Sequence, residues 1–180
     1  MDNLTKIKKL SRHLYYLISF LLIAIPLYYV CYWAFINHLP AQLITVNVPS
    51  TSLIPHKLSF SLQFVGFMVS FLPLSALIYG LLNIRKLFTF YKKGVIFSFE
   101  HVIIFRNTAK ALIVWVFLSM VYESSKSVLF SIGNPPGSRV IEVGFNSLEI
   151  STLLVGSVAF IVAWVMDEGR ILREESELTI

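Results

Sequence analysis

The side chains able to do chemistry are few: ten Asp and Glu, fifteen Lys and Arg, four His and one Cys in 180 residues. Nucleophilic catalysis needs a nucleophile held against a base, and metal chemistry needs a cluster of ligands. His13, His38, His56 and His101 form neither a His-x-x-x-His nor a Glu-x-x-His pair. His38 and His56 share one connection and would make at best half a metal site. Cys31 stands alone, which excludes an intrachain disulfide and a cysteine zinc knuckle, and reads as a small apolar core residue. No glycine-rich phosphate loop occurs. The expectation is therefore a non-enzymatic protein without cofactor or metal. The sharpest pointer to function is Glu123 with Lys126, three residues apart inside an apolar stretch and flanked by Ser124, Ser125 and Ser127. Ionisable groups within a membrane span are costly and mark pathways or partner sites. The alternative is that the helix leaves the membrane near Glu123. From Ala109 to Glu123 is about 21 Å of helix, which leaves both readings open.

The elements that must position this pair follow from composition. The chain is 56% hydrophobic and 14% charged, with a mean hydropathy of +0.74. Soluble domains run near 45–50% and about 25%, so a soluble globule and a disordered chain are both excluded. A bilayer core needs about 20 apolar residues in helical form. Four stretches qualify: 14–36, 62–84, 109–132 and 148–166, the last opened by Glu149. The expected fold is an all-α membrane protein, a four-helix transmembrane bundle forming one domain over residues 1–180. The first stretch is too long for a signal-peptide core and lacks a cleavage pattern, so it reads as a retained span.

Of the fifteen Lys and Arg residues, all but Lys57, Lys126 and Arg139 fall on one side of these spans. That places the N- and C-termini in the cytoplasm of a plasma (inner) membrane. The cations suit an anionic lipid surface and flank spans instead of forming a dense patch, so direct nucleic-acid binding is not expected.

The inner connection interleaves basic and apolar residues from Arg85, Lys86, Lys92 and Lys93 to Gly94, a natural left-handed helix stop. Ser98 stands at an N-cap position before the next helix. Spans two and three should thus extend as a cytoplasmic helical hairpin, with Leu87, Phe88 and Phe97 at its tip and Lys92 and Lys93 at the headgroups. The tail residues Asp167, Arg170, Arg173, Glu174, Glu175 and Glu177 are spaced to pair along a continuing helix and to dock on this basic hairpin. On the outer side, residues 43–48 and 139–145 are strand-like. They either pair as a small β cap or remain irregular loops. Gly66/Ser70, Ala76/Gly80 and Thr152/Gly156 are small-residue pairs suited to close packing within the bundle or to homo-oligomer contacts.

Two segments carry a resemblance. Leu87-Phe88-Thr89-Phe90-Tyr91-Lys92-Lys93-Gly94-Val95-Ile96-Phe97-Ser98 resembles the "LF…F.KGEIFT.EN" loop of an uncharacterised family of small four-span bacterial membrane proteins. The ending Gly169 to Ile180 resembles that family's "G..L.EENDLTI/V" tail. Val95 departs from the usual acid, and Phe99-Glu100-His101 from an acid-rich helix start. Members are often encoded beside a small helix-turn-helix regulator. The resemblance therefore implies, by association, a membrane component of a regulatory pair.

The combined expectation is a membrane sensor or regulator that binds a cytoplasmic partner through Arg85, Lys86, Lys92, Lys93, Arg170, Arg173, Glu174 and Glu175, with Glu123 and Lys126 as its intramembrane polar site. The alternative is a small transporter, channel or lipid-handling protein, which would need a continuous polar lining through the bundle.

Overall fold

The structure, a computed structural model, describes residues 3–39, 57–95, 98–141, 143 and 147–178, with side chains described between 4 and 172. Four α-helices follow one another: α1 (Asn3–Ala34), α2 (Phe60–Lys93), α3 (Phe99–Ser131) and α4 (Ser147–Leu178). All four are long and apolar enough to cross a membrane. At 1.5 Å per residue they measure about 50 Å, against a hydrocarbon core of roughly 30 Å, so each must tilt or project beyond it.

Each of the four apolar stretches falls on one of these helices, and the helices are longer. α1 begins at Asn3 and α4 runs on to Leu178. Lys, Arg, Glu and Leu dominate these extensions and are strong helix formers, so the backbone stays helical after the apolar run ends. The first span stops at Ala34, short of Ile36, because Ile36–His38 tightens into a 3-10 turn.

Helices pack in chain order: α1 on α2, α2 on α3, α3 on α4. The start of α1, the end of α4 and the α2–α3 turn gather at one end, the terminal end; the end of α1, the start of α2, the end of α3 and the start of α4 lie at the far end. Small residues set the crossings. A Cβ on Gly66 would run into the ring of Trp33, and one on Gly80 would lie 3.3 Å from the Ala111 Cβ. Gly156 lies against Leu112 and Ile113, whose atoms a Cβ would meet at 3.5 Å. All three glycines thus serve packing inside the bundle. The outward faces of α1 and α4 stay apolar and open, as at Ile23, 71% exposed. Such a surface requires lipid around it. Cys31 lies on this exposed face of α1 and is not a core residue. The packing of α1 against a single main neighbour leaves most of its circumference uncovered.

The α2–α3 turn is built as expected. Gly94 takes φ +82°, its N–H donates to the Tyr91 carbonyl (3.0 Å), and Val95 N–H donates to the Phe90 carbonyl (3.1 Å). This pair of bonds is the Schellman closure that satisfies the last carbonyls of a helix. Ser98 is the N-cap of α3, but its hydroxyl contacts His101 Nδ1 at 2.7 Å instead of a backbone N–H. Leu87 is buried at this end, while Phe97 lies outside the described residues.

The expected β cap falls largely outside the described residues, which omit 43–48, 142 and 144–146. Among the described residues there is no strand. Val140 is instead bonded to the end of α3: its N–H donates to Ser131 Oγ, and that hydroxyl donates to the Val140 carbonyl, both at 3.1 Å. These are the backbone groups a strand partner would have used.

At the far end Tyr32, Trp33, Ile36, Leu58, Tyr122, Leu129 and Phe130 form a compact core. Asn37 clamps the chain entering α2, accepting from Leu58 N–H and donating to the Leu58 carbonyl, each at 2.9 Å. The polar features described next are fixed to that core.

Candidate functional site

Residues 115, 119, 122, 123 and 126 recur at helical spacing, so Trp115, Ser119, Tyr122, Glu123 and Lys126 form one stripe along α3. The stripe faces a cavity of about 440 Å³. α1 contributes Tyr28, Tyr29 and Tyr32, α2 contributes Pro73, and the first turn of α4 contributes Leu148 and Glu149. All four helices therefore border one polar space.

Lys126 is only 5% exposed, and its Nζ lies 2.7 Å from Glu123 Oε1. The same ammonium lies 5.0 Å from the centre of the Tyr122 ring. A buried charge is tolerable only when paired and hydrogen-bonded, and this geometry supplies both partner and ring. Trp33 Nε1–H donates to Tyr122 Oη at 3.1 Å, locking α1 to α3 beside the ion pair. Tyr29 packs on Tyr122 with ring centres 6.1 Å apart. Three polar atoms at the cavity are buried without a hydrogen-bond partner: Glu123 Oε2, Tyr32 Oη and Trp115 Nε1.

The pair singled out in the sequence is thus brought together. α3 continues helical for eight residues beyond Glu123 to Ser131, so the helix does not end there. Sequence reasoning missed Glu149, which looked like the polar start of the fourth span. It is 3% exposed and borders the same cavity. The signal was a lone acid ahead of an apolar run, matched to the tyrosines at 28, 29 and 32 on one face of the first span.

The second predicted group, at the terminal end, separates into parts. Lys92 Nζ lies 3.8 Å over the Tyr15 ring, with Arg85 also near that ring at 5.8 Å, so Lys92 packs on α1. Arg85, Lys86, Thr89, Phe90 and Lys93 border a second cavity of about 320 Å³ against Tyr15. Arg170 belongs to another corner: it contacts Asp167 at 3.3 Å and lies 5.0 Å over the Phe99 ring. Asp167 also pairs with Arg106 at 3.3 Å, so α4 docks on α3. The side chains of Arg173, Glu174 and Glu175 lie outside the described residues.

Ser98 and His101 are in contact, a pairing that could suggest a nucleophile and its base. His101 is fully buried, stacked on Tyr91 at 5.1 Å, with Nε2 unbonded. Burial holds its pKa below the ordinary histidine value. Among the described residues no carboxylate is hydrogen-bonded to the ring, and the Ser98–His101 contact spans the first turn of α3. Among the described residues no group of three His, Cys, Asp or Glu could hold a metal.

The family described as "protein of unknown function (DUF2975)" matches this chain over residues 5–180. No curated protein and no solved structure matches it.

Proposed function

The chain belongs to the DUF2975 family, and within it we propose that this protein is a non-enzymatic membrane regulator of the plasma membrane, with both termini in the cytoplasm. The far-end cavity receives the input. The terminal end delivers it to a cytoplasmic partner, for which a helix-turn-helix regulator is the leading candidate. The observation that carries this reading is the continuity of α3. One uninterrupted helix bears Glu123 and Lys126 in the cavity and, on the far side of the bilayer core, Arg106 in contact with α4. A shift of α3 caused at the cavity would be felt at the α3–α4 corner and at the α2–α3 turn.

The input reading is favoured over solute passage by what lies between the two ends. Among the described residues the buried positions there are Leu74, Ala76, Leu81, Ala109, Ala111 and Val116, with Ser70 and Thr108, whose hydroxyls are taken by carbonyls of their own helices. Flux of a small solute in proteoliposomes would reverse this order.

Lys86 and Lys93 are the exposed cations of the hairpin and are the positions to test. A photocrosslinker placed at either should capture the same soluble cytoplasmic protein in cells. Reversing the charge at the other position should reduce that adduct. Adducts with lipid alone, or with different proteins at the two positions, would overturn the partner assignment.

A further inference from the structure

We propose that the far-end cavity binds an organic ammonium ion carrying at least one N–H, supplied as a free amine or as the headgroup of an amino-bearing lipid. This deepens the reading of that cavity as the receiving site and rests on it. Three independent features of the cavity converge on this chemistry. Its walls are aromatic: Tyr28, Tyr29, Tyr32, Trp115 and Tyr122 line it, and such faces attract cations. Lys126 already demonstrates the preference within the chain, its ammonium lying 5.0 Å from the Tyr122 ring.

The charged groups are the second feature. Two carboxylate side chains, Glu123 and Glu149, and one ammonium, Lys126, border the cavity. Carboxylates in a wall of low dielectric attract a cation and oppose entry of an anion.

The third feature is the set of polar atoms with nothing to bond. Glu123 Oε2 is buried without a donor, although Oε1 of the same carboxylate is taken by Lys126. A quaternary ammonium could not satisfy Oε2, whereas an N–H can. Tyr32 is nine-tenths buried, at 9% exposure, and its hydroxyl is likewise unbonded at the cavity. Trp115 Nε1–H needs an acceptor, which fits an amine that also bears an oxygen. A volume of about 440 Å³ lies within the range of small-molecule sites.

The test uses the full chain in detergent and follows tryptophan emission, with Trp115 in the cavity wall. Benzylamine should give a saturable change, and benzyltrimethylammonium should bind about tenfold more weakly or worse, reflecting a lost hydrogen bond to a charged group. Glu123→Gln should weaken benzylamine by about tenfold, and Tyr32→Phe by a smaller factor. The phenylalanine variant keeps the test alive if the glutamine variant fails to fold. No saturable response, or equal binding of both cations with both variants unaffected, overturns the proposal. Nanodiscs containing phosphatidylethanolamine, compared with discs of phosphatidylcholine, separate the sources. Loss of benzylamine binding only in the former supports the lipid headgroup, and retention in both supports the free amine. Saturable amine binding that leaves the Lys86 and Lys93 crosslinks unchanged would sink the signalling role while the binding site stands. If no amine binds but Glu123→Gln still alters those crosslinks, the ligand class is wrong and the receiving-site reading survives.

Discussion

Glu123–Lys126 at the far end and Arg106–Asp167 at the terminal end are both carboxylate–cation contacts, at 2.7 and 3.3 Å. They differ in what surrounds them. The Lys126 and Glu123 side chains are 6% and 23% exposed, whereas Arg106 and Asp167 are 38% and 27% exposed, so the contrast lies mainly in the cation. Depth changes what the same chemistry is worth. At the terminal end water and salt screen the charges, and the pair adds little beyond fixing an orientation. In the cavity the Lys126 ammonium is nearly closed to water, so its charge is met by protein groups, among them Glu123. A site that depends so strongly on local charge is suited to respond to a ligand, and a screened pair is suited to docking.

The largest effect should therefore come from breaking the buried pair. Lys126→Ala should destabilise the protein by about 3–5 kcal/mol, the range for leaving one member of a buried pair uncompensated. The double replacement Glu123→Gln with Lys126→Met should restore much of that loss, because no charge is then stranded. Denaturation in mixed micelles followed by circular dichroism measures both. A cost below about 1 kcal/mol for Lys126→Ala would erase the distinction between the two ends.

Next in size is Gly66→Ala. The added methyl meets the ring of fully buried Trp33, which also holds Tyr122 through its indole N–H. Overpacking of this kind costs about 1–3 kcal/mol. The shift should appear as well in tryptophan emission and in weakened amine binding, since Tyr122 lines the cavity. Smaller again is Gly94→Ala at the terminal end. There the space is not the obstacle, because the nearest atoms belong to the flexible end of Lys8, 2.7 Å from the added Cβ. The obstacle is φ +82°, for which an L side chain costs about 1–2 kcal/mol. Amine binding should be unaffected, a contrast with Gly66→Ala that separates the two ends by function as well as by stability.

The terminal end was the more legible of the two in sequence. Gly94 and Ser98 announce a turn through local backbone chemistry, which needs only neighbouring residues. The four spans were legible for a similar reason, since hydropathy is a local sum. The cavity depended on relations that no local window contains. Glu123 and Lys126 share one helix face by spacing alone, but Glu149 joins them only once α4 packs on α3, and Tyr32 only once α1 packs alongside. The length of the helices was hidden for another reason: hydropathy detects the apolar run and is silent about Lys6 to Arg12, where charge and helix propensity coexist. The contact of Lys92 with Tyr15 was hidden because its alkyl stem and ammonium meet a ring on a helix remote in sequence.

The smallest effect expected is for Arg106→Gln. Its contact with Asp167 is partly solvated and has a second claimant, because Arg170 also lies 3.3 Å from the same carboxylate. Removing Arg106 leaves Asp167 paired along α4, so the loss should be below about 1 kcal/mol. It should shrink further as ionic strength rises from 0.01 to 0.15 M, where the screening length falls from about 30 to about 8 Å. The same salt series should change the Lys126→Ala cost less, because the Lys126 ammonium is nearly closed to solvent. What Arg106→Gln should alter is orientation. α4 at Asp167 would then be held by its own helix alone, and a pair of spin labels at Lys110 and Gly169 would report a broader distance distribution. A narrow, unchanged distribution would mean that apolar packing of α3 on α4, through Gly156 and its neighbours, already fixes the corner and the ion pair adds nothing to it.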